Sequence, residues 1–190
     1  PAGILQPPFF NPNAPSALNY GAIGFVIGHE LTHGFDDQGA QFDGQGNLKN
    51  WWTAEDLLKF NKATQCIVDQ FSSYVVDGDA SVQGKLVVGE ATPDLGGLTL
   101  AYRAFHASDA YKKAKTINGL TPDQQFFLGA AHIWANNMRP AQERNYITTD
   151  PHPPMRYRVN GTLANMPEFQ AAFKMMDNSP MVNKKRCIIW

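Results

Sequence analysis

His29 and His33 stand four residues apart in the stretch GHELTHGFDD, residues 28–37, with Glu30 directly after the first histidine. In an α-helix that spacing offsets the two side chains by only about 40°, so both imidazoles can point at one atom. They can then fill two corners of a zinc tetrahedron. Glu30 projects about 100° away from His29, which suits a group that acts on water rather than one that binds the metal. This is the H-E-x-x-H pattern of zinc-assisted peptide-bond hydrolysis. The competing reading is a buried helix whose histidines are satisfied by ordinary hydrogen bonds.

A catalytic zinc needs a third protein ligand and an open position for water. The remaining glutamates are Glu55, Glu90, Glu143 and Glu168. Glu90 is singled out because Asp94 follows at i+4 on the same helical face, where it can accept the free ring N–H of a ligand histidine. Two carboxylates so spaced are more commonly a surface pair, and the H-E-x-x-H stretch reverses that reading. Glu90 then completes the ligand set for one Zn2+ per chain. A structural zinc is disfavoured, since such sites normally close with four ligands, often cysteines.

Helices must position these groups. From Ser16 onward, Ile23, Phe25, Val26, Ile27 and Leu31 make an almost all-round apolar segment, which predicts a core helix ending in the histidine pair. The Pro-rich opening before it reads as irregular or extended chain. Thr53 with Asp56 three positions on is a capping-box-like start for a helix to about Tyr74, with Leu57, Leu58, Phe60, Cys66, Ile67 and Phe71 on its buried side. The stretch VVGEATPDLGGLTLAYRAF predicts a helix from about Gly89, with Pro93 accommodated in its first turn. TPDQQ at 121–125 supplies a cap residue, Pro at N1 and Gln at N3, predicting a helix to about Asn137. A short helix is expected over 168–176, and strands only over 86–88 and 157–159. The expectation is one mainly α domain with minor β over 1–190.

Sixteen basic against seventeen acidic side chains leave a net charge of -1, which gives no field for nucleic acid or an anionic membrane surface. No apolar run approaches the roughly 20 residues of a bilayer-spanning helix, so no membrane contact by this segment is expected. The opening PAGILQPPFF has neither a basic n-region nor a continuous apolar h-region, and a mature product or part of a longer chain is expected. Cys66 and Cys187 fit no C-x-x-C pattern; they are either two buried thiols or one disulfide.

GHELTHGFDD, WWT, GEATPDLGGLTLAYRAF, QQFFLGAAHIWA, TDPHPPMRYRVNGTLANMPEF and KRCIIW occur in order along nearly the whole chain. Together they resemble the catalytic half of the neprilysin/endothelin-converting-enzyme family of zinc metallopeptidases. The resemblance implies a thermolysin-like (gluzincin) catalytic domain with His29, His33 and Glu90 on zinc, Glu30 as general base and Asp94 orienting His29. It also implies that His152 stabilises the oxyanion and that Arg158 binds a substrate carbonyl. Peptides are the implied substrates, cleaved on the amino side of large hydrophobic residues. Cys66 and Cys187 are implied to pair, in an extracellular, secreted or ectodomain setting. Further cysteines of animal members are absent, with Ala135 and Met175 near their places. The family also carries a long N-terminal part, with a lid and an edge strand, which is expected as a partner of this segment. An inert zinc-binding fragment is the alternative function. Asn160 begins a glycosylation sequon ending at Thr162.

Overall fold

A computed structural model describes residues 1–189; Trp190, which closes the KRCIIW stretch, lies outside the described residues. The first helical run is built from α1 (Ser16–Asn19), a π-helical turn (Tyr20–Gly24), α2 (Phe25–Thr32) and a 3-10 turn (His33–Phe35). His33 keeps right-handed helical torsions, φ -56° and ψ -25°, so it stays in step with His29. The run is not buried all round. Phe25, Gly28, His29 and Thr32 face the interior, whereas Ile27 and Leu31 are 55% and 66% exposed.

Thr53 caps α3 (Ala54–Ser72), its Oγ1 accepting the Asp56 N–H at 3.1 Å. Phe60, Ile67 and Phe71 are buried along it, but Leu57 and Leu58 point outward, contrary to expectation. Val75–Val76 (β1) and Ala80–Ser81 (β2) form a short antiparallel hairpin. Its three-residue loop, Asp77-Gly78-Asp79, has positive φ at Asp77 and Gly78, the residue types that favour such turns.

α4 (Gly84–Ala107) begins five residues earlier than expected and absorbs residues 86–88, which are therefore helical, not a strand. Val87 is fully buried and Leu86 packs against the core, so the apolar run reflects an inward helical face. Pro93 consequently lies well inside the helix, not in its first turn. An internal proline typically costs about 3 kcal/mol through a lost backbone bond and a clash with the i−4 carbonyl. Burial of Ala91, Thr92, Pro93, Asp94 and Leu95 in the protein centre opposes that cost.

After α5 (Asp109–Lys113), the Thr121 capping box starts α6 (Pro122–His132): Thr121 Oγ1 accepts from Gln124 N–H and Gln124 Oε1 accepts from Thr121 N–H. α6 ends five residues short of Asn137. α7 (Pro140–Thr149), α8 (Met155–Leu163) and α9 (Pro167–Ala172) follow, and α8 takes in residues 157–159, the other expected strand. Arg158 of that stretch is buried toward the centre while Arg156 and Val159 are less so, a helical and not an alternating arrangement. The fold is mainly α.

The core lies where α2 and α3 pack on α4, and where α1 and the π-helical turn pack on α6. α2 and α4 meet at glycines. A Cβ on Gly28 would stand 2.4 Å from the Gly97 carbonyl oxygen, and one on Gly97 would stand 2.2 Å from the His29 nitrogen. Only bare backbone permits that approach. Cys66 of α3 is bonded to Cys187, with 5.6 Å between Cα atoms, tying the C-terminal segment to the helical core.

Candidate metal centre

The glycine crossing brings one end of α2 against the middle of α4, so His29 and His33 confront Glu90 and Asp94. His29 Nε2 lies 3.0 Å from His33 Nε2, and Glu90 Oε2 lies 3.2 Å from the first and 3.7 Å from the second. Among the described residues, these three make the His/Cys/Asp/Glu cluster whose ligand atoms lie close enough together to hold a metal ion.

The other ring nitrogens explain why the first set turns inward. His29 Nδ1 is 2.9 Å from Asp94 Oδ1, and His33 Nδ1 is 2.5 Å from Asp36 Oδ2. A carboxylate can only accept, so each Nδ1 must carry its proton. In the neutral tautomers both Nε2 atoms then present lone pairs to one another and to the Glu90 carboxylate. That grouping calls for a positive charge at its centre. Zinc–ligand bonds of about 2.0–2.1 Å at tetrahedral angles require ligand atoms roughly 3.3 Å apart, and the observed 3.0, 3.2 and 3.7 Å fit that demand.

Burial disfavours a charged His29, but hydrogen bonding to Asp94 and Glu90 outweighs it and raises the imidazole to about 9. Burial likewise opposes ionisation of Glu90, yet His29, His152 and His33 hold its carboxyl below the usual value. A proton and a metal ion thus compete for the same electron-rich centre.

Asp94 is wholly buried and serves two partners. Besides His29, it takes a two-pronged interaction from Arg158, with Nε–Oδ2 at 2.9 Å and Nη2–Oδ1 at 2.7 Å. Desolvation pushes Asp94 up, while the Arg158 charge and the His29 bond pull it below its ordinary value. The Arg158 guanidinium also lies 3.9 Å over the Trp134 ring, and its Nη2 is 3.9 Å from Glu90. Arg158 is thereby held edge-on and face-on at once.

His152 joins from the loop between α7 and α8. Its Nε2 is 3.3 Å from Glu90 Oε2, and its Nδ1 is 2.8 Å from Asp150 Oδ1. Glu30, on α2, is exposed. His29, His33, Glu90, Asp94, His152 and Arg158 are thus brought together, Glu30 follows His29 on α2, and three partners were not anticipated. Asp36 orients His33 as Asp94 orients His29; its place three residues after His33 was the available signal. Asp150 holds His152 from two residues away, and Trp134 supports Arg158 from α6's end, where nothing in the local sequence announces it.

The model of Peptidase family M13 matches residues 1–189. Neprilysin-1 of Caenorhabditis elegans is 45% identical over 196 residues, covering all of this chain and 26% of that protein. Endothelin-converting enzyme 1 of Homo sapiens is 44% identical over 194 residues, again covering the whole chain and 25% of that protein. The crystal structure of Mycobacterium tuberculosis zinc metalloprotease Zmp1 with an inhibitor superposes with a TM-score of 0.91 at 41% identity, over all of this chain and 30% of that one. PepO from Lactobacillus rhamnosis HN001 gives 0.86 at 34% identity, over 97% of this chain and 28% of that one. The chain spans about a quarter of the length of the curated relatives it matches. With the family pattern running from the first residue to the last but one, the chain belongs to Peptidase family M13.

Proposed function

We propose that this chain is the catalytic portion of a zinc-dependent endopeptidase that hydrolyses internal bonds of short peptides, on the amino side of large hydrophobic residues. The observation that carries the reading is the convergence of His29 Nε2, His33 Nε2 and Glu90 Oε2, each histidine held from behind by a carboxylate. Family membership supports the same reaction class. His29, His33 and Glu90 would hold one Zn2+, which when bound supplies Lewis acidity to polarise the scissile carbonyl and acidify water.

The protein's own groups do the rest. Glu30 takes the proton of the attacking water and returns it to the leaving amine. His152 faces the developing oxyanion, and its ring is fixed by Asp150 for that purpose. Arg158, rigid between Asp94 and Trp134, offers its remaining N–H groups to a substrate carbonyl. Asp94 and Asp36 keep the two ligand histidines in the required tautomer.

Residues 1–190 act as one domain of a longer polypeptide whose N-terminal portion supplies a lid and an edge strand for substrate backbone. The Cys66–Cys187 disulfide supports an extracellular setting, as a secreted protein or ectodomain.

Zinc content and cleavage of a quenched peptide are measured on this chain and on the same chain extended by the N-terminal portion, each with Glu30→Gln beside it. Retained zinc with lost cleavage in the variant is expected. Zinc without cleavage in every form would instead mark an inert binding module, and stoichiometric absence of zinc would remove both readings.

A further inference from the structure

Asn165 lies just beyond the end of α8 and is buried, and each of the four hydrogen bonds open to an amide side chain is made. Its Nδ2 donates to Gln70 Oε1 at 2.8 Å and to the Gly161 carbonyl at 3.2 Å. Its Oδ1 accepts from Asn183 Nδ2 at 2.8 Å and from the Cys187 backbone N–H at 3.0 Å. The Gly161 carbonyl can only accept and the Cys187 N–H can only donate, so the amide fits one way round. One side of Asn165 therefore holds the helical core and the other holds the C-terminal segment.

Both attachments are reinforced. Gln70 Nε2 also donates to the Gly161 carbonyl, at 2.8 Å, where α8 comes so near α3 that a Cβ on Gly161 would stand 2.9 Å from Phe71 Cζ. On the other side, the Asn183 N–H donates to the Ala164 carbonyl at 3.0 Å. Asn183 and Cys187 are thus pinned at one point, and Cys187 is buried against Cys66, one helical turn before Gln70 on α3. The docked segment also closes an apolar cavity of about 470 Å³, where Ile188 and Ile189 stand with Leu31 and Phe35 of the helical run that carries His29 and His33.

We propose that Asn165 is the docking bracket of the C-terminal segment: its side chain places Cys187 beside Cys66 whether or not the two sulfurs are bonded. The disulfide then locks an arrangement that hydrogen bonds have already set. At a separation of 121 residues an unstructured chain brings the two thiols together rarely, whereas the bracket makes their encounter local. The bond forms by exchange with a small disulfide oxidant: one cysteine thiolate attacks it and expels one thiolate, and the second cysteine displaces the other. Two electrons pass to the oxidant's sulfurs, and the two cysteine protons end on the released thiols. The covalent link adds stability by restricting the unfolded chain, while Asn165 determines where the segment sits in the folded one.

The test starts from Cys66→Ser in the N-terminally extended chain, where Cys187 has lost its bonding partner, and follows iodoacetamide labelling of the C-terminal peptide by mass spectrometry. Cys187 should react at least roughly tenfold more slowly than in urea. Adding Asn165→Ala, which deletes both side-chain bonds to the segment, should raise the rate roughly tenfold, and Asn183→Ala, which deletes one, should raise it less. Thr121→Ala, which removes the α6 cap and none of these bonds, should leave the rate unchanged. Circular dichroism identifies a variant that fails to fold, and if Asn165→Ala is one, Asn183→Ala decides alone. Labelling of folded Cys66→Ser as fast as in urea would show that the disulfide alone holds the segment and would overturn the proposal. So would a rate that the deciding variant leaves unmoved, or one that Thr121→Ala raises equally.

Discussion

Gly28 and Gly97 face each other where α2 crosses α4, so close that a methyl group on either would strike the other helix's backbone. The His29–Glu90 and His29–Asp94 distances depend on that approach, because His29 follows Gly28 directly and Glu90 lies two turns before Gly97. Replacing Gly97 with Ala should cost about 3 kcal/mol or more, at the upper end for overpacking, since backbone cannot move aside as a side chain can. Urea unfolding and zinc content measured together should show both falling; a stable Gly97→Ala protein with full zinc would contradict the close crossing.

Asp36 is expected to matter for metal affinity more than for folding. Its Oδ2 holds His33 Nδ1, while its Oδ1 accepts the N–H groups of Gln38 and Gly39. Asp36→Asn keeps the shape and most of the turn but weakens the hold on the histidine tautomer. Zinc affinity should drop about 10- to 100-fold, the usual effect of losing such an outer partner, as read by competition with a chelating dye. An unchanged dissociation constant would remove Asp36 from the site.

Breaking the Asp94–Arg158 pair should be costly because Asp94 is fully buried. Arg158→Met leaves that carboxylate with His29 alone, and a loss of about 3–5 kcal/mol is expected at neutral pH. The sign with pH follows from the depressed Asp94 value. Its contribution is complete above the unfolded-state value of 3.8 and is lost as pH falls through the lower folded-state value. In metal-free Arg158→Met the carboxyl rises, so acid unfolding should begin at higher pH than in the metal-free parent. Coincident acid transitions followed by circular dichroism would show that the arginine does not hold Asp94 charged.

The disulfide joins cysteines 121 residues apart. Chain entropy alone assigns such a loop about 5 kcal/mol. The Cys66→Ala/Cys187→Ala protein should therefore unfold at markedly lower urea than the parent, and adding reductant should shift the parent's midpoint but not the variant's. A midpoint that the double replacement leaves in place would show that the tail stays docked without its covalent link.

Removal of metal should lower the melting temperature in the same protein. At a zinc concentration of 1,000 times the dissociation constant, binding contributes about 4 kcal/mol to stability. Chelation should abolish this increment, Glu90→Gln should shrink it, and Glu30→Gln should leave it intact. Equal zinc-dependent increments in the parent, Glu90→Gln and Glu30→Gln proteins would mean that zinc binds elsewhere.

The metal centre was legible because its spacing obeys helix geometry. His29 and His33 at i+4, and Glu90 and Asp94 at i+4, are local patterns that survive any tertiary arrangement. The capping signals at Thr53 and Thr121 were read correctly for the same reason. Burial was less legible: Ile27, Leu31, Leu57 and Leu58 are apolar yet exposed, since apolarity does not say which face meets the core. The short stretches Leu86-Val87-Val88 and Tyr157-Arg158-Val159 suit strand or helix equally, and here the neighbouring helical turns decided. Asp-Gly at 77–78 marked the real hairpin and was overlooked. Asp36, Asp150 and Trp134 act through contacts that only the folded chain creates, or through side-chain directions that spacing alone does not specify.

The Cys66–Cys187 bond divides the polypeptide into a covalently closed ring and an open N-terminal arm. Glu90, Asp94, His152 and Arg158 all belong to the ring, whereas His29, Glu30, His33 and Asp36 belong to the arm. The ligand set is therefore split across a topological boundary: carboxylate on one side, both imidazoles on the other. An ion gripped by all three would act as a clasp between arm and ring, fastening what the disulfide leaves loose. Loss of the ion would open that clasp, while the ring kept the Glu90 carboxylate and His152 together.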